Sequence, residues 1–135
     1  MCPANVKYNW LKESQAWLTT YESAVVNKGN EEIPDADVVV INYDLMSKQE
    51  SRLLARGFNT VIFDESHYLK NYKAKRTQAS LTVAEQAKSV LALSGTAITN
   101  RPNEFFTTLN LLRPNEFNNF FTFAKRYCDA CPNGS

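Results

Sequence analysis

The chain has 135 residues, 44% of them hydrophobic and 12% aromatic, enough to bury most of the apolar surface of one globular domain. Its 15 basic and 14 acidic residues leave a formal net charge of +1, which excludes a global field for nucleic acid or a membrane and confines any DNA contact to a local patch. Three irregularly spaced cysteines exclude the disulfide framework of a small secreted protein and point to a reducing, intracellular setting, and no run approaches the roughly 18–20 apolar residues that span a bilayer.

In chain order, Val6, Trp10, Trp17 and Leu18 follow the rhythm of an amphipathic helix starting near Asn5. Residues 19–36 read as an irregular connection with a short strand at Ala24-Val25-Val26. Three continuous apolar runs follow, Val38-Val39-Val40-Ile41, Val61-Ile62-Phe63 and Val90-Leu91-Ala92-Leu93. Short and rich in β-branched residues, they predict strands buried on both faces of a parallel sheet. Between them, Leu45, Met46, Leu53 and Leu54 share a helical face that ends at Gly57, and Ala79, Val83, Ala84 and Ala87 share another. Strand, helix, strand, helix, strand is the order of right-handed βαβ units, so the fold class is α/β with helices on both faces of a parallel sheet. Phe105, Leu109 and Leu112 line a further helix stopped at Pro114, and Phe117, Phe120, Phe121 and Ala124 line a last one. These two form a helical extension over about residues 101–131.

In an open parallel sheet, ligands gather at the carboxyl ends of the strands. Asp64-Glu65-Ser66-His67 follows the second apolar run directly, and Ser94-Gly95-Thr96 follows the third. Adjacent carboxylates at a buried strand end are costly to desolvate unless a cation, water or a donor satisfies them. A Mg²⁺-nucleotide site is one reading, with the first carboxylate on the metal's water shell and the second on the attacking water. The other is that Asp64 caps the next helix and Glu65 is solvated.

The wider pattern decides between them. Val61-Ile62-Phe63-Asp64-Glu65-Ser66-His67-Tyr68-Leu69-Lys70-Asn71 resembles the Asp-Glu-x-His box of superfamily-two helicases, with the Leu-Lys-Asn continuation of the Swi/Snf branch. Leu93-Ser94-Gly95-Thr96-Ala97-Ile98-Thr99-Asn100-Arg101-Pro102 resembles that family's Ser/Thr-Gly-Thr coupling motif. Cys2-Pro3-Ala4-Asn5 with Asn9-Trp10 is similar to its DNA-contacting segment, Val39-Val40-Ile41-Asn42-Tyr43 to the next motif, and residues 123–130 to the HARP-like annealing-helicase subgroup. The resemblance covers nearly the whole chain in the family's order. It implies a RecA-like lobe of a two-lobed, ATP-driven DNA motor, in which Asp64 helps hold Mg²⁺, Glu65 activates water, His67, Ser94, Gly95 and Thr96 couple nucleotide state to movement, and Pro3, Asn5 and Tyr43 face DNA.

None of the four glycines heads the Gly-x-x-x-x-Gly-Lys-[Ser/Thr] loop that wraps phosphates. The family carries that loop upstream of the segment resembled by Cys2-Pro3, and its second lobe downstream, so the 135 residues read as an internal slice, inactive toward ATP alone. Loss of the phosphate-loop strand predicts an open sheet edge at Val61-Ile62-Phe63 and self-association, unless Met1–Ala4 or residues 19–36 cover it. Lys70, Lys73, Lys75 and Arg76 form the densest basic patch, either a phosphate contact or a solvated helix entrance. Cys128 and Cys131 are too few for a zinc site without distant help, and Cys128 reads as packing beside Tyr127. An ATP-independent module holding DNA or a partner protein is the second functional class.

Overall fold

The computed structural model describes residues 1–95 and 105–128. The strands form two parallel pairs. Strand β1 (Ser23–Val25) pairs with β2 (Val38–Val40), and β3 (Thr60–Phe63) pairs with β4 (Ser89–Ala92), both in parallel. Helices α1 (Lys7–Trp17), α2 (Met46–Arg56) and α3 (Lys75–Glu85) precede or connect them. Short 3-10 turns cover Ala4–Val6, Tyr43–Leu45 and Ser66–Leu69, and helices α4 (Phe106–Leu112) and α5 (Phe120–Tyr127) follow.

Residues 1 and 2 join the two strand pairs. The Met1 nitrogen donates to the Ile62 carbonyl at 2.7 Å and the Asp64 N–H donates to the Met1 carbonyl at 2.8 Å. On the other side, the Cys2 N–H donates to Ile41 at 3.0 Å and the Tyr43 N–H donates to Cys2 at 3.2 Å, with Cys2 and Asn42 bridged in parallel. Met1–Cys2 thus lies between the carboxyl ends of β2 and β3. A cleft of about 220 Å³ continues that gap, lined by Val38, Val39, Val40, Phe58, Thr60 and Ile62 among others. The β3 edge is covered at Ile62–Asp64 and open beyond it.

The sheet is two-faced. Val26, Ile41, Val61 and Phe63 join Met46, Leu53, Leu69, Ala79, Val83, Ala84 and Leu111 in one buried cluster under α2, α3 and α4. The expectation that every strand is buried on both faces fails at β3 and β4, whose residues alternate. Val61 and Phe63 are buried, whereas Ile62 is 37% and Leu91 45% exposed, because helices cover only one face there. The stripe expected on α1 also fails: Trp17 is 80% exposed, and the residues buried on that helix are Lys7 and Ser14. Lys7 is accommodated because its Nζ donates to the Val26 carbonyl and to Asn42 Oδ1, each at 3.2 Å, which replaces its lost water.

The helical extension packs one step out of the expected phase. Phe106, Leu111, Phe123 and Ala124 face inward, whereas Leu112 and Phe121 are exposed. The buried Phe106 ring meets its neighbours edge-on or tilted, 5.4 Å from the exposed Phe120 and 5.5 Å from the buried Phe123 between centroids, the arrangement favoured by the ring quadrupole. Asn119 caps α5, its Oδ1 accepting from the Thr122 N–H.

Gly57 stops α2 where the sequence placed the stop. Its φ is 68° and ψ 141°, a backbone region costly to a residue with a Cβ, although nothing lies within 4 Å of where one would sit. Gly57→Ala is therefore expected to destabilise the chain by about 1–3 kcal/mol through backbone strain alone. Urea denaturation checks this, and an unchanged midpoint would contradict the assigned geometry.

Candidate active site

Asp64 and Glu65 follow directly from the carboxyl end of β3, and the chain is pinned there from both sides. The Ser66 N–H donates to the Leu93 carbonyl at 2.9 Å, and the Leu93 N–H to the Phe63 carbonyl at 2.8 Å. These bonds bring the two motifs at the ends of β3 and β4 side by side, with Ser94 and Gly95 next after Leu93. Thr96 lies outside the described residues, as does Cys131.

Asp64 is held on three atoms by residues distant in sequence. Its N–H donates to Met1, its carbonyl accepts the Tyr43 hydroxyl at 2.7 Å, and its Oδ2 accepts the Trp10 Nε1–H at 2.7 Å. Tyr43 is 1% exposed, and burial, followed by the nearby Asp64 charge, pushes its hydroxyl far above the ordinary tyrosine pKa. The phenol therefore remains a donor over the working pH range.

Glu65 has φ 50° and ψ 55°, and it is the one non-glycine residue with positive φ among those described. Such a conformation costs free energy and persists where surrounding bonds impose it. Here the Ser66–Leu93 bond and the following 3-10 turn do so. The turn swings Glu65 out of the strand direction, and His67 Nδ1 lies 3.2 Å from Glu65 Oε2. His67 also sits against Tyr68, ring centroids 5.0 Å apart, and Tyr68 stacks on Tyr43 at 5.8 Å.

A divalent cation fits this arrangement only loosely bound by protein. Among the described residues no group of three or more histidine, cysteine, aspartate or glutamate side chains converges on one point. Asp64 has one carboxylate oxygen bonded to Trp10, and no described residue donates to the other. That suits Mg²⁺, which keeps most of its waters and takes one or two carboxylates plus phosphate oxygens.

The residues expected at DNA divide. Asn5 is exposed, and so are Lys70, Lys73 and Lys75. Pro3 and Tyr43 are buried, so they offer no surface to a duplex in this conformation. Pro3 starts the turn into α1, and Tyr43 braces Asp64. Arg76 is paired with Asp44 at 3.3 Å and lies over the Tyr68 ring at 6.0 Å, which ties down α3 and removes it from the exposed set. Trp10 and Lys7 were not singled out by sequence for the roles they take here. A donor ring and a buried ammonium in the segment before the box were the available signals.

The SNF2-related domain family matches residues 1–133. The chain belongs to that family. Similar proteins include the SWI/SNF-related matrix-associated actin-dependent regulator of chromatin subfamily A-like protein 1 of Xenopus tropicalis, 35% identical over 96% of this chain and 14% of the relative. Its Caenorhabditis elegans homolog is 37% identical over 96% of this chain and 19% of the relative. The mouse DNA annealing helicase and endonuclease ZRANB3 is 34% identical over 95% and 13%. The chain therefore spans less than a fifth of the length of these relatives. The SWI2/SNF2 ATPase core of Sulfolobus solfataricus, solved in complex with dsDNA, superposes with a TM-score of 0.82 over 95% of this chain and 27% of that one at 22% identity. That likeness establishes the fold as the α/β, RecA-like lobe of an SNF2 core. SNF2 membership makes this a piece of a nucleotide-using, helicase-like ATPase family, and no helix among the described residues is long and apolar enough to cross a membrane.

Proposed function

We propose that this chain forms the part of an SNF2 ATPase lobe that supplies the hydrolytic carboxylates and links them to duplex DNA, inside the cell, with ATP and Mg²⁺ as cofactors. The observation that carries the reading is the bonding of Asp64 to residues 1, 10 and 43, which belong to the segments expected to face DNA or to brace that surface. Mg²⁺, when bound, neutralises phosphate charge and orients the transferred phosphoryl group. Asp64 holds the cation's water shell through its second carboxylate oxygen. Glu65 accepts the proton of the attacking water, its Oε2 lying 3.2 Å from His67 Nδ1. His67, beside Glu65, with Ser94 and Gly95 at the neighbouring strand end and Thr96 next in sequence, relays the state of this site to the second lobe. A phosphate loop and that second lobe are the partners the reaction requires, since none of the four glycines heads a Gly-x-x-x-x-Gly-Lys-[Ser/Thr] run. The helical extension, residues 101–131, belongs to the same lobe.

DNA is met by Asn5 and by Lys70, Lys73 and Lys75, all of them exposed. The names of the annealing-helicase relatives and the duplex in the archaeal core support this partner. Phosphate contacts release counterions, so each lysine that makes one contributes about one to the slope of log affinity against log salt. The double change Lys73→Glu, Lys75→Glu is expected to weaken duplex binding by this chain and to reduce that slope by about two. Fluorescence anisotropy at several salt concentrations is the measurement. Unchanged affinity and slope would return the patch to a solvated helix entrance.

A further inference from the structure

We infer that Trp10 is a positioning residue for Asp64, and that its indole N–H is the direct mechanical link between the DNA-facing helix α1 and the cation-holding carboxylate. The inference rests on the reading of Asp64 given above and adds to it a residue and a route. The bond is short, 2.7 Å from Nε1 to Oδ2, joins residues 54 apart in sequence and is partly buried. An N–H bond to a charged carboxylate is stronger than a neutral one, and the half-buried Trp10 forms one wall of the cleft with Met1, Cys2, Val38, Val40 and Ile62.

The geometry fixes which oxygen does what. With Oδ2 engaged by Trp10, the carbonyl by Tyr43 and the N–H by Met1, the carboxylate has one orientation, and Oδ1 is the oxygen left toward a cation's water. Groups that orient a metal-ligating carboxylate in this way contribute measurably to metal affinity. Trp10 also sits one turn into a helix whose first turn is anchored by Lys7 to Val26 and Asn42. The exposed Asn5 lies just ahead of that anchor. A shift of this segment on duplex binding reaches the Asp64 carboxylate through the rigid Trp10 ring, whereas Met1 and Tyr43 hold only the Asp64 backbone.

The test uses the 135-residue chain with ¹⁵N-labelled indoles and ¹³C-labelled aspartate carboxyls. The two tryptophans give two indole signals, assigned with Trp17→Phe. Asp64→Ala is expected to move the Trp10 signal and leave Trp17, which bonds Glu13, unchanged. Trp10→Phe is expected to move the Asp64 carboxyl signal, to weaken Mn²⁺ binding read by paramagnetic broadening by about tenfold, and to abolish the response of the Asp64 carboxyl to added duplex DNA. Should Trp10→Phe fail to fold, the wild-type and Asp64→Ala indole signals still decide the bond. A Trp10 signal indifferent to Asp64→Ala, or Mn²⁺ and duplex responses preserved in folded Trp10→Phe, would overturn the inference. If the bond is present but Mn²⁺ broadens nothing near Asp64 in the wild type, the link fails as a metal-positioning device because the cation reading beneath it has failed.

Discussion

Glu65→Gln is expected to lower ATP turnover by about 10²- to 10⁴-fold in a motor that carries this lobe, while nucleotide binding changes little. The amide keeps the size and shape of the carboxylate but cannot accept a proton from water. In the proposed role Glu65 acts on the attacking water and not on the phosphates, so binding is spared. Asp64→Ala should behave differently, raising the dissociation constant for Mg²⁺-ATP, because it removes the carboxylate proposed to hold the cation's water shell. Single-turnover hydrolysis together with equilibrium nucleotide binding separates the two effects. Small and equal losses from both substitutions would reduce the pair to a polar helix entrance, which the left-handed backbone at Glu65 argues against.

Phe63→Ala is expected to destabilise the chain by about 3–5 kcal/mol, the loss typical of emptying a fully buried aromatic site. Phe63 is 0% exposed and sits in the cluster that joins β3 to α2 and α3. It immediately precedes Asp64, so the cavity also loosens the strand end that aims the carboxylates. Ile62→Ala, one residue away on the open face, should cost much less. Urea denaturation of the two variants compares the faces directly. Similar losses from both would mean that β3 is covered on both sides after all.

Much of this architecture was legible because strands and stops leave local marks. The apolar runs ending at Ile41, Phe63 and Leu93 located three strands to within a residue or two, the short strand near Ala24 was visible as well, and Gly57 ended its helix. Asp64-Glu65 and Ser94-Gly95 were readable as strand-end chemistry because a parallel sheet collects ligands at that edge. The phases of α1, α4 and α5 were not readable. Trp17, Leu112 and Phe121 look like core residues in sequence, yet helical spacing cannot show which stripe finds a neighbour, and Lys7 displaced the expected pattern on α1 by finding two oxygen acceptors. The same holds for the strands: β-branched runs suggested burial on both faces, but the cover over Ile62 and Leu91 is a tertiary fact. The Trp10–Asp64 bond, the insertion of Met1–Cys2 between β2 and β3, and the positive φ of Glu65 all arise from contacts between distant segments, which no local pattern encodes.

The central claim is that these residues serve ATP hydrolysis governed by duplex DNA, and its most direct test is steady-state ATP turnover against duplex concentration in a protein that joins this lobe to a phosphate loop and a second lobe. The account predicts low turnover without DNA and a saturable rise as duplex is added. Turnover that is the same at every duplex concentration would contradict it.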